Sequence, residues 1–211
     1  PPPLDKPRVK RSDYRSAGEY FEALCQREVV ETTFKKAELV DGIAVLRVYP
    51  TLYPVTLGSY SDESNGAGVA IAPEERLILS PPSFQFIERP LRLDEQRKFP
   101  GATYLRFEKD RNRPNQLTVR PISQLSASYA YTWRGTSSMD DREGGIFGGE
   151  LILLDRRSGE VMGVRRTFSR DEVSLEDRAR VRFWSLPCPN PKRVEYIQFL
   201  KNVLVPAKAK E

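Results

Sequence analysis

The chain of 211 residues is long enough to bury a genuine core, and 39% apolar against 30% charged residues is ordinary for a soluble globular protein. It contains no histidine, which excludes Ser-His-Asp triads, Cys-His pairs and His-containing zinc sites. The net charge of +5 is consistent with an anionic partner, but the basic excess lies at the two ends, in residues 6–11 and 207–211. Between the ends the charges alternate in sign, which is typical of a solvated surface, so we expect no nucleic-acid binding.

The first elements in chain order are an arm and a helix. Residues 1–13 are proline-rich and charged without periodicity, which predicts an extended arm. Ser16 and Glu19 have the spacing of a capping box, in which each side chain bonds the other residue's backbone N–H. A helix is therefore predicted over 17–29, with apolar residues at helical spacing, namely Phe21, Leu24, Cys25 and Val29.

The next segment is partly strand and partly irregular. Residues 42–50 are rich in β-branched side chains and end at a proline, which predicts a strand. Residues 51–100 combine a long polar loop with many prolines and predict irregular structure wrapped over a sheet. Within them, "VAIA" (69–72) and "RLILS" (76–80) are candidates for short strands.

The pattern from residue 101 onwards indicates antiparallel strands. Two alternating runs joined by "RNRP" predict a strand-turn-strand unit, and residues 125–135 alternate aromatic and small polar side chains. Residues 148–168 predict a hairpin whose turn, "DRRSGE", places Gly159 where a positive φ is needed. One more strand is predicted over 180–187.

The chain closes with an amphipathic helix over 190–204, with Asn190 as N-cap and Pro191 at the first helical position. Its apolar stripe consists of Val194, Ile197, Leu200 and Leu204. These elements predict a single α+β domain over 14–205, an antiparallel sheet flanked by an N-terminal and a C-terminal helix. Residues 206–211 are predicted to be a basic tail.

The two cysteines have three possible roles. Cys25 lies on the apolar face of the first predicted helix, and Cys188 lies two residues before the N-cap of the last. A bridge between them would close a loop of about 160 residues and stabilise the fold by roughly 5 kcal/mol on the chain-entropy model. Free thiols that only fill space are the alternative, and a catalytic thiol is the least favoured role because no histidine can activate it. A bridge, which we favour, implies an oxidising compartment such as the periplasm.

The sequence contains no catalytic or cofactor motif. There is no Gly-x-Ser-x-Gly elbow, and residues 58–68 lack both the lysine of a phosphate loop and the ligand spacing of a calcium loop. A Ser-Lys dyad or a carboxylate pair stays open, since no spacing singles one out. We therefore expect neither metal nor cofactor.

Two acidic loops are candidate surfaces for a protein partner. Residues 134–145, "RGTSSMDDREGG", form a long polar loop between two predicted strands. It is either a tolerated loose connection or an acidic finger presented by a rigid sheet. The candidate partner-binding residues here are Met139, Asp140, Asp141 and Glu143. The earlier acidic loop adds Asp62 and Glu63.

Three blocks of the chain carry a family resemblance. They are "YFEALCQREVVETTFKKAELVDGIAVLRVYP" (20–50), "GGELILLDRRSGEVMGVRRTF" (148–168) and "WSLPCPNP" (184–191). Together they resemble exported two-cysteine proteobacterial immunity proteins of type VI secretion phospholipase effectors. The resemblance implies a non-enzymatic protein that binds and blocks a toxic lipase, and it implies the Cys25–Cys188 bridge. It brings no inhibitory residues with it.

The leading hypothesis is a protein-binding inhibitor that occludes the active site of a secreted lipase-type toxin. We expect it to be a monomer that forms a heterodimer with its toxin in the periplasm or outer envelope. Because no stretch approaches 18 consecutive apolar residues, anchoring to a membrane is expected only through a segment preceding Pro1. The first alternative is an envelope-associated structural or ligand-binding lipoprotein. A histidine-free hydrolase using Ser-Lys or carboxylate chemistry is the second.

Overall fold

The computed structural model describes residues 9–48, 75–80, 84–110, 113, 116–171, 185–188 and 193–207. Its helices are Ala17–Arg27 (α1), Glu75–Ile78 (α2), Met139–Glu143 (α3) and Arg193–Val203 (α4), with a 3-10 helix over Arg11–Asp13. Its strands are Val30–Thr33 (β1), Ala37–Val40 (β2), Gly42–Val45 (β3), Phe86–Pro90 (β4), Tyr104–Lys109 (β5), Leu117–Ile122 (β6), Tyr129–Gly135 (β7), Ile146–Asp155 (β8), Val161–Asp171 (β9), Ser185–Cys188 (β10) and Leu204–Pro206 (β11). The predicted α+β class is confirmed.

The described strands form one large sheet and one small one. The large sheet has the order β1-β9-β8-β7-β3-β4-β5-β6, with β10 also paired to β9, and the small sheet pairs β11 with β2. The prediction of an antiparallel sheet is wrong at its centre, because β3 runs parallel to both neighbours, β4 and β7. Parallel neighbours require a long crossover, and residues 46–85, between β3 and β4, are long enough to supply one.

Helix α1 begins where its capping signal predicts. The Ser16 hydroxyl accepts a hydrogen bond from the Glu19 N–H at 3.1 Å. The Glu19 carboxylate accepts from the N–H of Arg15 rather than from that of Ser16. The helix ends at Arg27, two residues before the predicted end, because β1 begins at Val30.

The end of the predicted extended arm is folded against α1. Arg11–Asp13 form a 3-10 helix, and the Val9 N–H donates to the Glu28 carboxylate at 3.0 Å. The predicted extended arm is therefore wrong for residues 9–13, because local backbone hydrogen bonds and the buried Glu28 carboxylate fix their conformation. Residues 1–8 lie outside the described part of the chain.

Helix α1 packs on the sheet through one apolar cluster, which also contains the predicted bridge. Tyr20, Phe21 and Leu24 pack with Ile146, Phe168 and Cys188. Cys25 and Cys188 form a disulfide with a Cα–Cα distance of 5.6 Å, and Cys188 is the register partner of Phe168. The bridge is confirmed, and the alternatives of free and catalytic thiols are wrong.

Helix α4 packs on another part of the sheet. Phe199, Leu200 and Val203 belong to the larger apolar cluster, together with residues of β3, β8 and β9. A Cβ added at Gly163 would lie 3.1 Å from the Phe199 ring, so the glycine permits the helix to approach the strand closely. Side chains alternate along a strand, so positions 163 and 168 of β9 face opposite sides of the sheet.

The remaining elements mostly follow the sequence pattern. The β5–β6 pair and the β8–β9 hairpin are confirmed, and Gly159 has φ +73° in the hairpin turn. The short strand predicted at 76–80 is wrong: its first residues belong to α2. The predicted end of the last helix at Leu204 is wrong, because the helix ends at Val203 and Leu204 begins strand β11. Residue 206, predicted to start a basic tail, ends the same strand. Residues 69–72, 180–184, Asn190, Pro191 and 208–211 lie outside the described residues, as does the side chain of Val194.

Candidate partner-binding site

The predicted acidic loop between β7 and β8 contains a short capped helix, α3. The hydroxyl of its N-cap, Ser138, accepts from the Asp141 N–H at 3.2 Å. The Asp141 carboxylate in turn accepts from the Ser138 N–H at 2.6 Å, which completes a capping box. The Ser-x-x-Asp spacing in "SMDD" carries this signal, so the helix could have been predicted from the sequence.

Asp141 is an internal anchor in the folded chain. It is 1% exposed, and its Oδ1 accepts a hydrogen bond from the Tyr20 hydroxyl at 2.8 Å. This bond ties the turn to α1 across 121 positions of the sequence. Asp141 was predicted as a partner contact, and the structure corrects this: a carboxylate that caps its own helix and accepts from Tyr20 does not face solvent.

The other predicted contacts of this turn lie on the surface. Met139 is 69% exposed, and Asp140 and Glu143 are also exposed. Solvent exposure of this extent is unusual for a methionine, whose unbranched side chain normally fills gaps in a core. Asp62 and Glu63, the contacts predicted on the earlier loop, lie outside the described residues.

Backbone bonds clamp both ends of the turn. The Thr136 N–H donates to the Gly148 carbonyl at 2.9 Å, and the Gly148 N–H donates to the Ser137 hydroxyl at 2.5 Å. At the other end the Gly144 N–H donates to the Asp140 carbonyl, and Gly145 adopts φ +73°, which favours glycine. The turn therefore presents its exposed residues from a defined backbone rather than as a loose connection.

A charged cluster lies beside α1 in the same part of the molecule. The Arg166 guanidinium bonds Glu150 at 2.5 Å and Glu28 at 3.0 Å, and Arg134 bonds the other oxygen of Glu150 at 2.5 Å. Glu150 is 1% exposed and Glu28 is 4% exposed, so the cluster buries its two carboxylates. The alternating charges of the sequence predicted solvated side chains, and these residues show where that prediction misleads: buried charges are accommodated by pairing.

The described residues carry little that indicates other chemistry. No group of three or more His, Cys, Asp or Glu side chains among them could hold a metal ion. In the same ranges, none of the helices combines the length and hydropathy needed to span a membrane. The turn itself presents a thioether and two carboxylates to solvent.

Comparison with known proteins gives no match among protein-family models, curated proteins or solved structures.

Proposed function

We propose that the chain is a non-enzymatic inhibitor of the immunity type, which neutralises a secreted antibacterial lipase by covering its active site. The exposed set of α3, namely Met139, Asp140 and Glu143, is the proposed contact surface. The observation that carries the proposal is Met139, a large apolar side chain 69% exposed on a turn that is clamped at both ends. Inhibition by coverage needs complementary surfaces and no cofactor.

The chemistry of the turn fits the mouth of an apolar active site. Ligand pockets are lined mainly by apolar side chains, so the flexible Met139 side chain can enter one and adapt to it. Asp140 and Glu143 flank it and would pair with cations on the partner's rim. Central apolar anchors usually dominate the affinity of an interface, whereas rim charges contribute more to the association rate.

A rigid scaffold supports this function because a preformed contact surface loses little conformational entropy on binding. We place α1 on one face of the sheet and α4 on the other. The contact of α1 with Phe168 and the contact of α4 with Gly163 support this placement. The buried Tyr20–Asp141 hydrogen bond then joins the contact turn to the helix held by the disulfide.

The disulfide also supports the proposed compartment. Structural disulfides persist in oxidising compartments and are rare in the bacterial cytosol. We therefore place the protein in the periplasm or outer envelope, as a monomer that forms a one-to-one complex with its toxin. The acidic loop at Asp62 and Glu63 remains a predicted second contact.

The test is a binding measurement against phospholipase effectors encoded in the same genome. We expect Met139→Ala to weaken the Kd of the cognate pair about tenfold to a hundredfold, as loss of an anchor does. Asp140→Ala with Glu143→Ala should mainly slow association and reduce its dependence on salt. Inhibition of phospholipid hydrolysis by the wild-type chain is the parallel functional readout.

The matched control is Leu93→Ala, because Leu93 is also apolar and exposed (57%) but lies on a different segment, after β4. It should leave the Kd unchanged. A wild-type chain that binds and inhibits none of the effectors would overturn the proposed function. Binding that persists unchanged in Met139→Ala would move the contact surface elsewhere.

A further inference from the structure

Helix α4 buries an ammonium group that pairs with no carboxylate in the part of the chain that the structure describes. Lys201 is 7% exposed, and its Nζ donates a hydrogen bond to the backbone carbonyl of Ser80 at 2.6 Å. Among the described residues, no carboxylate forms an ion pair with this amine. A neutral carbonyl compensates a buried positive charge much less than a carboxylate does.

The surroundings of Lys201 disfavour its charged form. Its side chain is withdrawn from water, and the one hydrogen bond shown for its amine goes to a neutral carbonyl. Burial lowers the pKa of the Lys201 amine, and the positive charge of Lys109 on β5 lowers it further, to about 8. The geometry and the charge distribution point the same way, towards an amine that loses its proton easily.

Lys35 provides a contrast within the same chain. Its side chain is 58% exposed and pairs with Glu160 at 2.7 Å. The hydrogen bond to this carboxylate, together with its charge, raises the pKa of Lys35 above the ordinary value of 10.5. The two lysines therefore differ in access and in protonation. Solvent access favours reaction at Lys35, whereas the larger fraction of neutral amine favours reaction at Lys201.

Protonation decides which amine can act as a nucleophile, because only the neutral form has a free electron pair. At pH 7.5 an amine of pKa 8 is neutral in roughly a quarter of molecules, against about 0.1% for an amine of pKa 10.5. The neutral fraction is therefore more than a hundredfold larger for the amine of pKa 8. Its lower basicity makes Lys201 a weaker nucleophile, and its burial restricts access, so the difference in rate is smaller than this ratio. We expect about tenfold to remain.

We propose that Lys201 is a nucleophilic amine that takes acyl groups from activated acyl esters. In this step Nζ forms a bond to the acyl carbon, and the bond from that carbon to the ester oxygen breaks. The Nζ proton passes, through solvent, to the departing oxyanion. The product is a neutral amide, so acylation removes the unpaired charge that the fold otherwise buries. The inference is independent of the partner-binding turn.

The experiment uses the wild-type chain with limiting N-hydroxysuccinimide acetate at pH 7.5 and follows each lysine by peptide mass spectrometry. In the folded protein we expect Lys201 to be acetylated about ten times faster than Lys35. In guanidinium chloride, where both side chains are solvated, their rates should agree within about twofold. Dividing the acetylation rate of each lysine in the folded chain by its rate in the unfolded chain removes any intrinsic difference between the two peptides.

The pH profile and one variant separate nucleophilicity from simple access. The Lys201 rate should level off above about pH 8.5, whereas the Lys35 rate should keep rising to pH 10. Lys109→Gln removes the like charge and should slow Lys201 several-fold at pH 7.5, while Lys98→Gln, on an exposed side chain, should not. A Lys201 rate at or below that of Lys35 in the folded chain would overturn the inference.

Discussion

The region around α1 and the region around α4 bury charge in different ways. Beside α1, the buried carboxylates of Glu28 and Glu150 both bond the partly exposed guanidinium of Arg166. On α4, the ammonium of Lys201 is buried against a backbone carbonyl. A paired charge keeps its ionised form inside a protein, whereas an unpaired one shifts its pKa instead. The first arrangement therefore favours structural rigidity, and the second favours reactivity.

The largest expected effect comes from breaking the paired cluster. Glu150→Gln keeps the shape of the side chain but removes the buried charge that Arg166 and Arg134 share, and leaves Arg166 with Glu28 alone. We expect the free energy of unfolding to fall by about 3–5 kcal/mol, the usual cost of removing one partner from a buried pair. Guanidinium denaturation followed by circular dichroism measures it.

The control for Glu150→Gln is Lys35→Met, which removes one member of the exposed Lys35–Glu160 pair. Exposed pairs are screened by water and contribute little, so this variant should unfold at the same denaturant concentration as the wild type. If Glu150→Gln and Lys35→Met lower the free energy of unfolding equally, burial does not determine how much an ion pair contributes to the stability of this protein.

The second expected effect comes from removing the disulfide that holds α1. Cys25→Ala with Cys188→Ala should lower the free energy of unfolding by about 2–4 kcal/mol. The wild-type chain under reducing conditions should show the same loss, which separates the covalent link from any effect of the alanines. An unchanged midpoint in both would show that the apolar cluster alone fixes α1 on the sheet.

The fold was largely predictable where the local pattern decides the structure. The Ser16 cap and the turn at Gly159 are local signals, and both appear in the structure. The last helix also forms, but it joins the larger apolar cluster through Phe199, Leu200 and Val203, of which only Leu200 belongs to the predicted stripe. The parallel placement of β3 was not predictable in this way. It depends on which strands meet after a long crossover, and no local pattern specifies that.

The candidate site was only half predictable for a related reason. Exposure of Met139, Asp140 and Glu143 follows from a polar loop between two strands. Burial of Asp141 depends on the Tyr20 hydroxyl, which lies 121 positions earlier in the chain. The sequence likewise showed a basic residue at 201 and an amphipathic helix around it, but not that Ser80 covers the amine.

The third expected effect concerns Lys201 on α4 and depends on pH. The pKa of Lys201 is about 8 in the folded chain, below the ordinary 10.5 of the unfolded chain. Between these pH values the unfolded chain binds more protons, so the free energy of unfolding rises with pH there. Relative to Lys201→Met, the wild type should gain about 1–3 kcal/mol from pH 8 to pH 10.5.

The comparison with Lys201→Met removes the other titrating groups. Burial raises the pKa of Tyr131 in both chains, so the contribution of this phenol cancels. The lost hydrogen bond to the Ser80 carbonyl shifts the two curves by a constant amount. Parallel curves over this pH range would contradict an unpaired buried ammonium.

The smallest expected effect tests the link between α1 and the contact turn. Tyr20→Phe removes one donor from the buried Asp141 carboxylate, and a lost bond to a charged group should cost about 1–2 kcal/mol. If the loss falls mainly on the turn, the amides of α3 should exchange with solvent about tenfold faster, while those of β8 should not change. Tyr14→Phe is the matched control, because the Tyr14 ring lies 5.7 Å from that of Tyr20. Both variants keep their rings and lose only a hydroxyl, so faster exchange in both would mean that the Tyr20–Asp141 bond is not what specifically positions the turn that carries Met139.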